Sequence, residues 1–231
     1  MPPKARITKE MILDAAIEVI RENGHENLNV RTIAQRLGCS TQPVLYSFKT
    51  VDEIREAAYQ AADEYHTEYI MSLDDAGDSA GADVDAGAET GADTGTGADT
   101  DADARLGSDA PAQTGAPEDA LLALGLNYVR FGHEEKNLFR FLFQTNKFGG
   151  MDVEGLLSDP NLSDVVGVIA EGLGCDEAAA HEVFLTFFAI AHGLASLLAN
   201  NAMDYDEVQV ANMLGTVFEG ICALQAGEGN A

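Results

Sequence analysis

Basic side chains are scarce in this 231-residue chain, 13 Lys and Arg against 39 Asp and Glu, for a net charge of −26. Taken whole, that balance looks wrong for a protein that binds a polyanion. Cysteine is scarce too. Cys39, Cys175 and Cys222 are odd in number and widely spaced, which argues against a disulfide framework or a zinc site and for a reducing cytosol. No stretch reads as a signal peptide or a transmembrane run, so a cytoplasmic protein without membrane contact is expected. Alternating strand patterns are missing, and the expected fold class is all-α. Catalytic signatures are missing as well: there is no His-Glu-x-x-His, no Glu-x-x-His pair repeated on two helices, no phosphate-binding glycine loop and no nucleophile elbow. Glu134 and Glu135 beside His133 read as a solvated helix junction. An enzyme is not expected, nor a cofactor or metal.

What is present begins with Leu28 to Lys49, two short helices joined by a tight turn. The first follows Asn29, a good N-cap type, places Val30, Ile33, Ala34 and Leu37 at helical spacing, and stops at Gly38, which tolerates φ > 0. Ser40 is expected to cap the second helix, and Pro43 falls in its first turn, where a missing N–H costs no bond. Val44 and Phe48 would face the core. Thr41, Gln42, Tyr46 and Ser47 then point outward, a polar set where a recognition helix meets base edges. A preceding helix carries Met11, Ile12, Ala15, Ala16, Val19 and Ile20 as one apolar stripe, stops at Asn23-Gly24, and has Lys4, Arg6 and Lys9 at its start. These three helices make a small DNA-binding head of helix-turn-helix type.

Residues 7 to 60 resemble the N-terminal domain of the TetR family of bacterial transcriptional regulators. The likeness rests on Ile12-Leu13-Asp14-Ala15-Ala16, the Gly24 stop, Leu28-Asn29-Val30-Arg31-Thr32-Ile33-Ala34, Leu37-Gly38-Cys39-Ser40 and Phe48-Lys49. It implies that Arg31 and the outward face of the third helix meet bases, while helix ends and Lys49 meet phosphates. The DNA-binding set is therefore Arg31, Thr32, Thr41, Gln42, Pro43, Tyr46, Ser47 and Lys49. Two positions depart from the family pattern: Leu45 stands where Tyr is usual, with Tyr46 next to it, and Val51 stands where many members have Lys.

Charge resolved along the chain agrees with a DNA-binding head. Residues 1–60 hold eight basic and eight acidic side chains, whereas residues 118–231 hold four against seventeen. Thr50-Val51-Asp52-Glu53 matches a capping box and opens a fourth helix. Ile54, Ala57, Ala58, Ala61, Ala62, Tyr65 and Tyr69 carry its apolar stripe to about residue 73. Residues 74–117 are nearly all Asp, Ala, Gly and Thr, with eleven acidic side chains and one basic. Too few large apolar groups are available there to offset an ordering cost of roughly 1 to 2 kcal/mol per residue, so a disordered insert is expected. It reads as a solvated loop, or as a polyanion competing with DNA for the head. The spacing of Asp99, Asp101 and Asp103 suits a calcium loop, but Ala104 and Ala110 stand where Gly and Glu are needed.

The expected division is thus 1–50 head, 51–73 connecting helix, 74–117 insert and 118–231 effector-binding and dimerisation domain. In the last, Leu121, Leu122, Tyr128 and Val129 mark one helix and Leu138, Phe139, Leu142 and Phe143 the next. A loop through Gly149-Gly150 and Asp159-Pro160 precedes a short helix over Val165–Leu173. Two long helices follow, Asp176 to about Asn200 and Asp206 to about Gln225. Their stripes are wide, Val183, Phe184, Phe187, Phe188, Ala191, Leu194, Ala195 and Leu198 on one and Val208, Ala211, Met213, Leu214, Val217, Phe218 and Ile221 on the other. Such helices need two buried faces, so a homodimer is expected, and Gly193 suggests a close helix crossing. Two recognition helices would then read a palindrome on double-stranded DNA. The resemblance also implies a small-molecule effector pocket, for which Tyr128, Phe131, Phe143, Asn146, Phe184, Phe188 and His192 are the candidates, with His181 a further polar anchor; core packing is the competing reading. The remaining alternative is a helical protein-interaction adaptor that does not bind DNA.

Overall fold

A computed structural model describes residues 7–72, 117–145 and 160–228. The expectations for Lys4 and Arg6, for the acidic insert and for Asn146 lie outside the described residues. Among the described residues every regular element is helical: α1 Lys9–Asn23, α2 Val30–Arg36, α3 Thr41–Ser47, α4 Val51–Met71, α5 Pro117–Glu134, α6 Lys136–Phe143, α7 Pro160–Leu173, α8 Glu177–Asn200 and α9 Glu207–Glu228, with a 3-10 turn at His25–Asn27.

Helix α1 starts where Thr8 accepts a bond from the Met11 N–H and ends where the Gly24 N–H donates to Ile20. It buries Ile12, Ala15, Ala16, Val19 and Ile20. Met11, expected in that stripe, is 38% exposed, because it lies at the edge of the buried arc next to Ile12. Helices α2 and α3 close this small core with Ile33, Ala34, Val44 and Phe48. Burying a side chain of that size is worth about 1.5–3 kcal/mol, and a seven-residue helix relies on such packing because it is too short to hold alone.

Helix α4 opens on Thr50, whose hydroxyl accepts from the Glu53 N–H at 3.1 Å. The return bond differs from the expected capping box: the Glu53 carboxylate accepts from Lys49 N–H, one residue before the cap. A reciprocal box closes at α2 instead, between Asn29 and Thr32. Along α4 the buried positions are Ile54, Ala58, Ala62 and His66, each four after the last.

In the body, α5 packs chiefly on α8. Their approach is set by Gly132, where an added Cβ would stand 2.8 Å from the Ala195 Cβ and 3.0 Å from its Cα. Gly193, expected at a crossing, faces open space in the chain. Helix α7 begins at Pro160, five residues before the expected start, with proline at the first helical position, where it removes no intrahelical bond. Helix α8 is long and apolar enough to cross a membrane by length and composition. Its apolar content is explained by a buried face carrying Val183, Phe184, Phe187, Ala191, Ala195 and Leu198. Flanking that face, Ile190 and Leu197 are exposed, as are Val208, Met213 and Leu224 on α9.

Candidate functional site

Helix α2 and the turn that joins it to α3 are fixed at both ends by local hydrogen bonding. Asn29 Oδ1 accepts from Arg31 N–H at 3.0 Å and Thr32 N–H at 3.1 Å, while Thr32 Oγ1 accepts from Asn29 N–H at 3.2 Å. The same hydroxyl lies 2.9 Å from the Asn27 carbonyl as donor. Thr32 is therefore engaged in starting the helix, and Arg31 beside it is exposed. At the other end Cys39 N–H donates to Ala34 and Gly38 N–H to Gln35, the paired bonds of a Schellman stop. Gly38 takes φ +61°, which explains a glycine there.

Helix α3 then presents two opposite faces. Val44 and Phe48 are buried; Thr41, Gln42, Leu45 and Tyr46 are exposed, Tyr46 at 86%. Pro43 and Ser47 are half-buried at the margins. Ser40 stands at the N-cap but makes no side-chain cap bond, leaving the first N–H groups of α3 without that partner. Leu45, left out of the expected contact set, shares the outward face at 46% exposure.

Much of the head's positive charge is used internally. Arg36 donates to both Glu18 and Glu22 on α1. Its hydrogen bond holds the Glu22 carboxyl below the usual range, and the two glutamates raise the Arg36 guanidinium in turn. Lys9 lies 5.3 Å from the centre of the Phe48 ring. Among the described residues of the head, Lys9, Arg31 and Lys49 have no ion-pair partner and are exposed, and of these Lys9 sits over a ring. The first turn of α4 carries Asp52 and Glu53, with Arg55 paired to Asp52 at 2.6 Å. A phosphate near that turn thus meets carboxylates as well as free N–H groups.

The head is joined to the body through α6. Arg21 Nε donates to Glu135 Oε2 at 3.1 Å, Tyr65 O–H donates to Glu135 Oε1 at 3.2 Å, and the Arg21 guanidinium lies 4.7 Å from the Tyr65 ring centre. Asn137 Nδ2 donates to the Arg21 carbonyl at 2.8 Å. Farther along, Tyr59 O–H donates to the Leu142 carbonyl. On its other side, Arg140 donates to the Ala199 carbonyl and to Asn200 Oδ1. Helix α6 is thereby bonded to α1, α4 and α8 at once. Sequence reading treated Glu134-Glu135 as a solvated junction, yet Glu135 accepts from Arg21 of α1 and Tyr65 of α4 because the turn after α5 brings it beside both helices.

Behind α6 an aromatic cluster gathers most of the candidate effector residues. Tyr128 and His192 Nδ1 are hydrogen-bonded at 2.8 Å. Around them, ring centres lie 5.6 Å apart for Tyr128 and Phe143, 5.5 Å for Tyr128 and Phe188, and 5.7 Å for Phe143 and His192. Phe184 stacks on Phe188 at 6.0 Å. His181 is half-buried in the first turns of α8, outside these ring contacts. Phe139 belongs to the cluster, and so does His66, 4.8 Å from Phe131 and 5.1 Å from Phe143. Sequence reading missed His66. Its spacing of four from Ala62 and eight from Ala58 marked it as buried, but a histidine was not counted within an apolar stripe. A separate open groove runs along the outer face of α9, lined by Asp206, Val208, Gln209, Asn212, Met213, Thr216 and Val217.

Residues 12–58 match the model of the family described as bacterial regulatory proteins, tetR family. No curated protein matches the chain. Among solved structures, a TetR from Streptomyces coelicolor, a transcriptional regulator, is similar with TM-score 0.57 and 16% identity, over 94% of this chain and 99% of that one. A TetR-like transcriptional regulator from Rhodococcus sp. RHA1 is similar with TM-score 0.55 and 14% identity, over 94% and 96%. A second Rhodococcus transcriptional regulator gives TM-score 0.53 at 17% identity, over 93% and 96%. Residues 12–58 thus match the tetR family of bacterial regulatory proteins, and the all-helical fold of the chain is similar to that of solved TetR-like transcriptional regulators.

Proposed function

We propose that this protein is a dimeric, sequence-specific repressor, released from a palindromic operator by a small molecule bound in its C-terminal domain. The observation that carries this reading is α3: a short helix, seated by Val44 and Phe48, that offers Thr41, Gln42, Leu45 and Tyr46 to solvent on one face. Hydroxyls and a carboxamide suit base edges, and exposed Arg31 and Lys49 suit guanine and phosphate respectively. One such helix reads too few base pairs to be specific, so two copies are required. The exposed Ile190 and Leu197 of α8, with Val208 and Met213 of α9, supply an apolar face for the second copy. Burying that face gives both wide stripes their second partner. A regulatory rather than catalytic role in the cytoplasm is part of the same proposal.

Release requires the effector to prefer one arrangement of the two heads. Helix α6 is the proposed transmitter, since it is bonded both to the head and to α8. Selection of bound sequences from random duplex DNA by the purified chain tests the proposal, with Gln42→Ala/Tyr46→Ala as the control. Recovery of a palindrome by the wild type alone supports it. Absence of enrichment at low salt sinks it in favour of a helical adaptor.

A further inference from the structure

His66 is 93% buried, and among the described residues its Nε2 has no hydrogen-bond partner. Its ring lies 4.8 Å from Phe131, 5.1 Å from Phe143 and 5.4 Å from Tyr128. Leaving a buried polar atom unpaired is destabilising. That cost falls on α4, the helix that continues from the head, in a cluster whose other polar pair, Tyr128 and His192, is already satisfied. The cluster reaches the surface through Phe143, Phe188 and His192, all half-buried.

We infer that His66 Nε2 is the polar anchor of a binding site within this aromatic cluster, and that the site takes an uncharged, largely aromatic molecule bearing a hydroxyl. The inference rests on the effector-responsive reading above and adds to it a ligand class and an anchoring residue. A hydroxyl fits either imidazole tautomer, donating to a bare Nε2 or accepting from an Nε2–H. An ionised ligand is disfavoured because the ionisable groups of the cluster are themselves held neutral. Burial lowers His66 to about 4, lowers His192 and raises Tyr128, so no opposite charge awaits a carboxylate or an ammonium. Flat rings match a cluster made of ring edges and faces.

Naphthalene, 2-naphthol and 2-naphthoate test the inference on the full chain. The protein has no tryptophan, so emission excited to the red of tyrosine belongs to the probe. The expected result is that 2-naphthol binds at least about tenfold tighter than naphthalene, roughly 1.4 kcal/mol, and that 2-naphthoate does not bind in the same range. In His66→Phe, which keeps a ring in place, naphthalene should bind as before and the advantage of 2-naphthol should vanish. In wild-type protein labelled with 15N-histidine, 2-naphthol should shift the His66 Nε2 resonance and naphthalene should not, a readout that needs no folded variant. Equal binding of the two neutral probes, tight binding of the naphthoate, no binding by either neutral probe, or a naphthol preference that survives in His66→Phe overturns the assignment. Loss of operator selection with this preference intact would instead refute the repressor reading and leave the site standing.

Discussion

Val44 and its two successors in α3 separate folding from recognition within three consecutive positions. Val44 is fully buried, whereas Leu45 is 46% and Tyr46 86% exposed. Val44→Ala removes two methyl groups from a closed core, about 1.6 kcal/mol at 0.8 kcal/mol per group. A cavity contribution raises the expected loss to roughly 2–3 kcal/mol, since the short helices around it relax only in part. For a chain of this size that is a fall in Tm of roughly 4 to 12 °C. Leu45→Ala and Tyr46→Ala should each stay within about 0.5 kcal/mol of wild type in stability, as exposed positions do. Their effect belongs in DNA binding, where loss of a good base contact costs roughly 1–3 kcal/mol, or about 5- to 150-fold in Kd. Thermal denaturation followed by circular dichroism, paired with fluorescence anisotropy on the selected operator, measures both. A Tyr46→Ala protein that melts as early as Val44→Ala, or a Val44→Ala protein as stable as wild type, would refute the assigned faces of α3.

Lys49→Ala should weaken binding to all DNA sequences alike and reduce the salt slope by about 1 per head, checked by titrating operator and random duplex across ionic strength. Leu197→Glu combined with Val208→Glu should convert the proposed dimer to a monomer of unchanged helicity, read by sedimentation against the wild type; a dimer that persists would move the interface elsewhere. Glu135→Gln, which keeps the shape but loses the charge facing Arg21, should leave the fold intact and reduce effector-induced release, seen as a smaller change in operator Kd with ligand. Stability should fall as pH drops below 6.5. The folded pKa of His66 is depressed to about 4, so between those values the unfolded chain binds the extra proton, a loss of about 3 kcal/mol at most. His66→Phe should flatten that part of the denaturation-against-pH curve.

Most of the head was legible in the sequence because its determinants are local. Ile33, Ala34, Val44 and Phe48 lie within one turn of the residues that fix their direction, and Asn29 and Gly38 act on the backbone they belong to. Where a local rule had two ways to be met, the reading slipped: Glu53 bonds Lys49 N–H in place of Thr50 N–H, and Ser40 holds the cap position without the cap bond. Tertiary approach was not legible. Gly193 and Gly132 are equally plain in the sequence, but only the path of α5 across α8 decides that Gly132 meets Ala195. The aromatic cluster was read correctly as aromatic. His66 was absent from it because membership came from a helix more than fifty residues away in the sequence.

The joint between Arg21, Tyr65 and Glu135 bears on how strongly the proposed regulator would answer its signal. Arg21 is 35% and Glu135 18% exposed, so water screens their attraction and the pair contributes only a modest free energy. Coupling between two sites cannot exceed the difference in free energy that the connecting contacts make between states, and typical values of 1–3 kcal/mol change affinity about 5- to 150-fold. A half-wet joint places this chain toward the lower part of that range. Under the proposed function its output is then partial: saturating effector changes operator affinity by a modest factor and leaves some operator occupied, as a dimmer does and a latch does not.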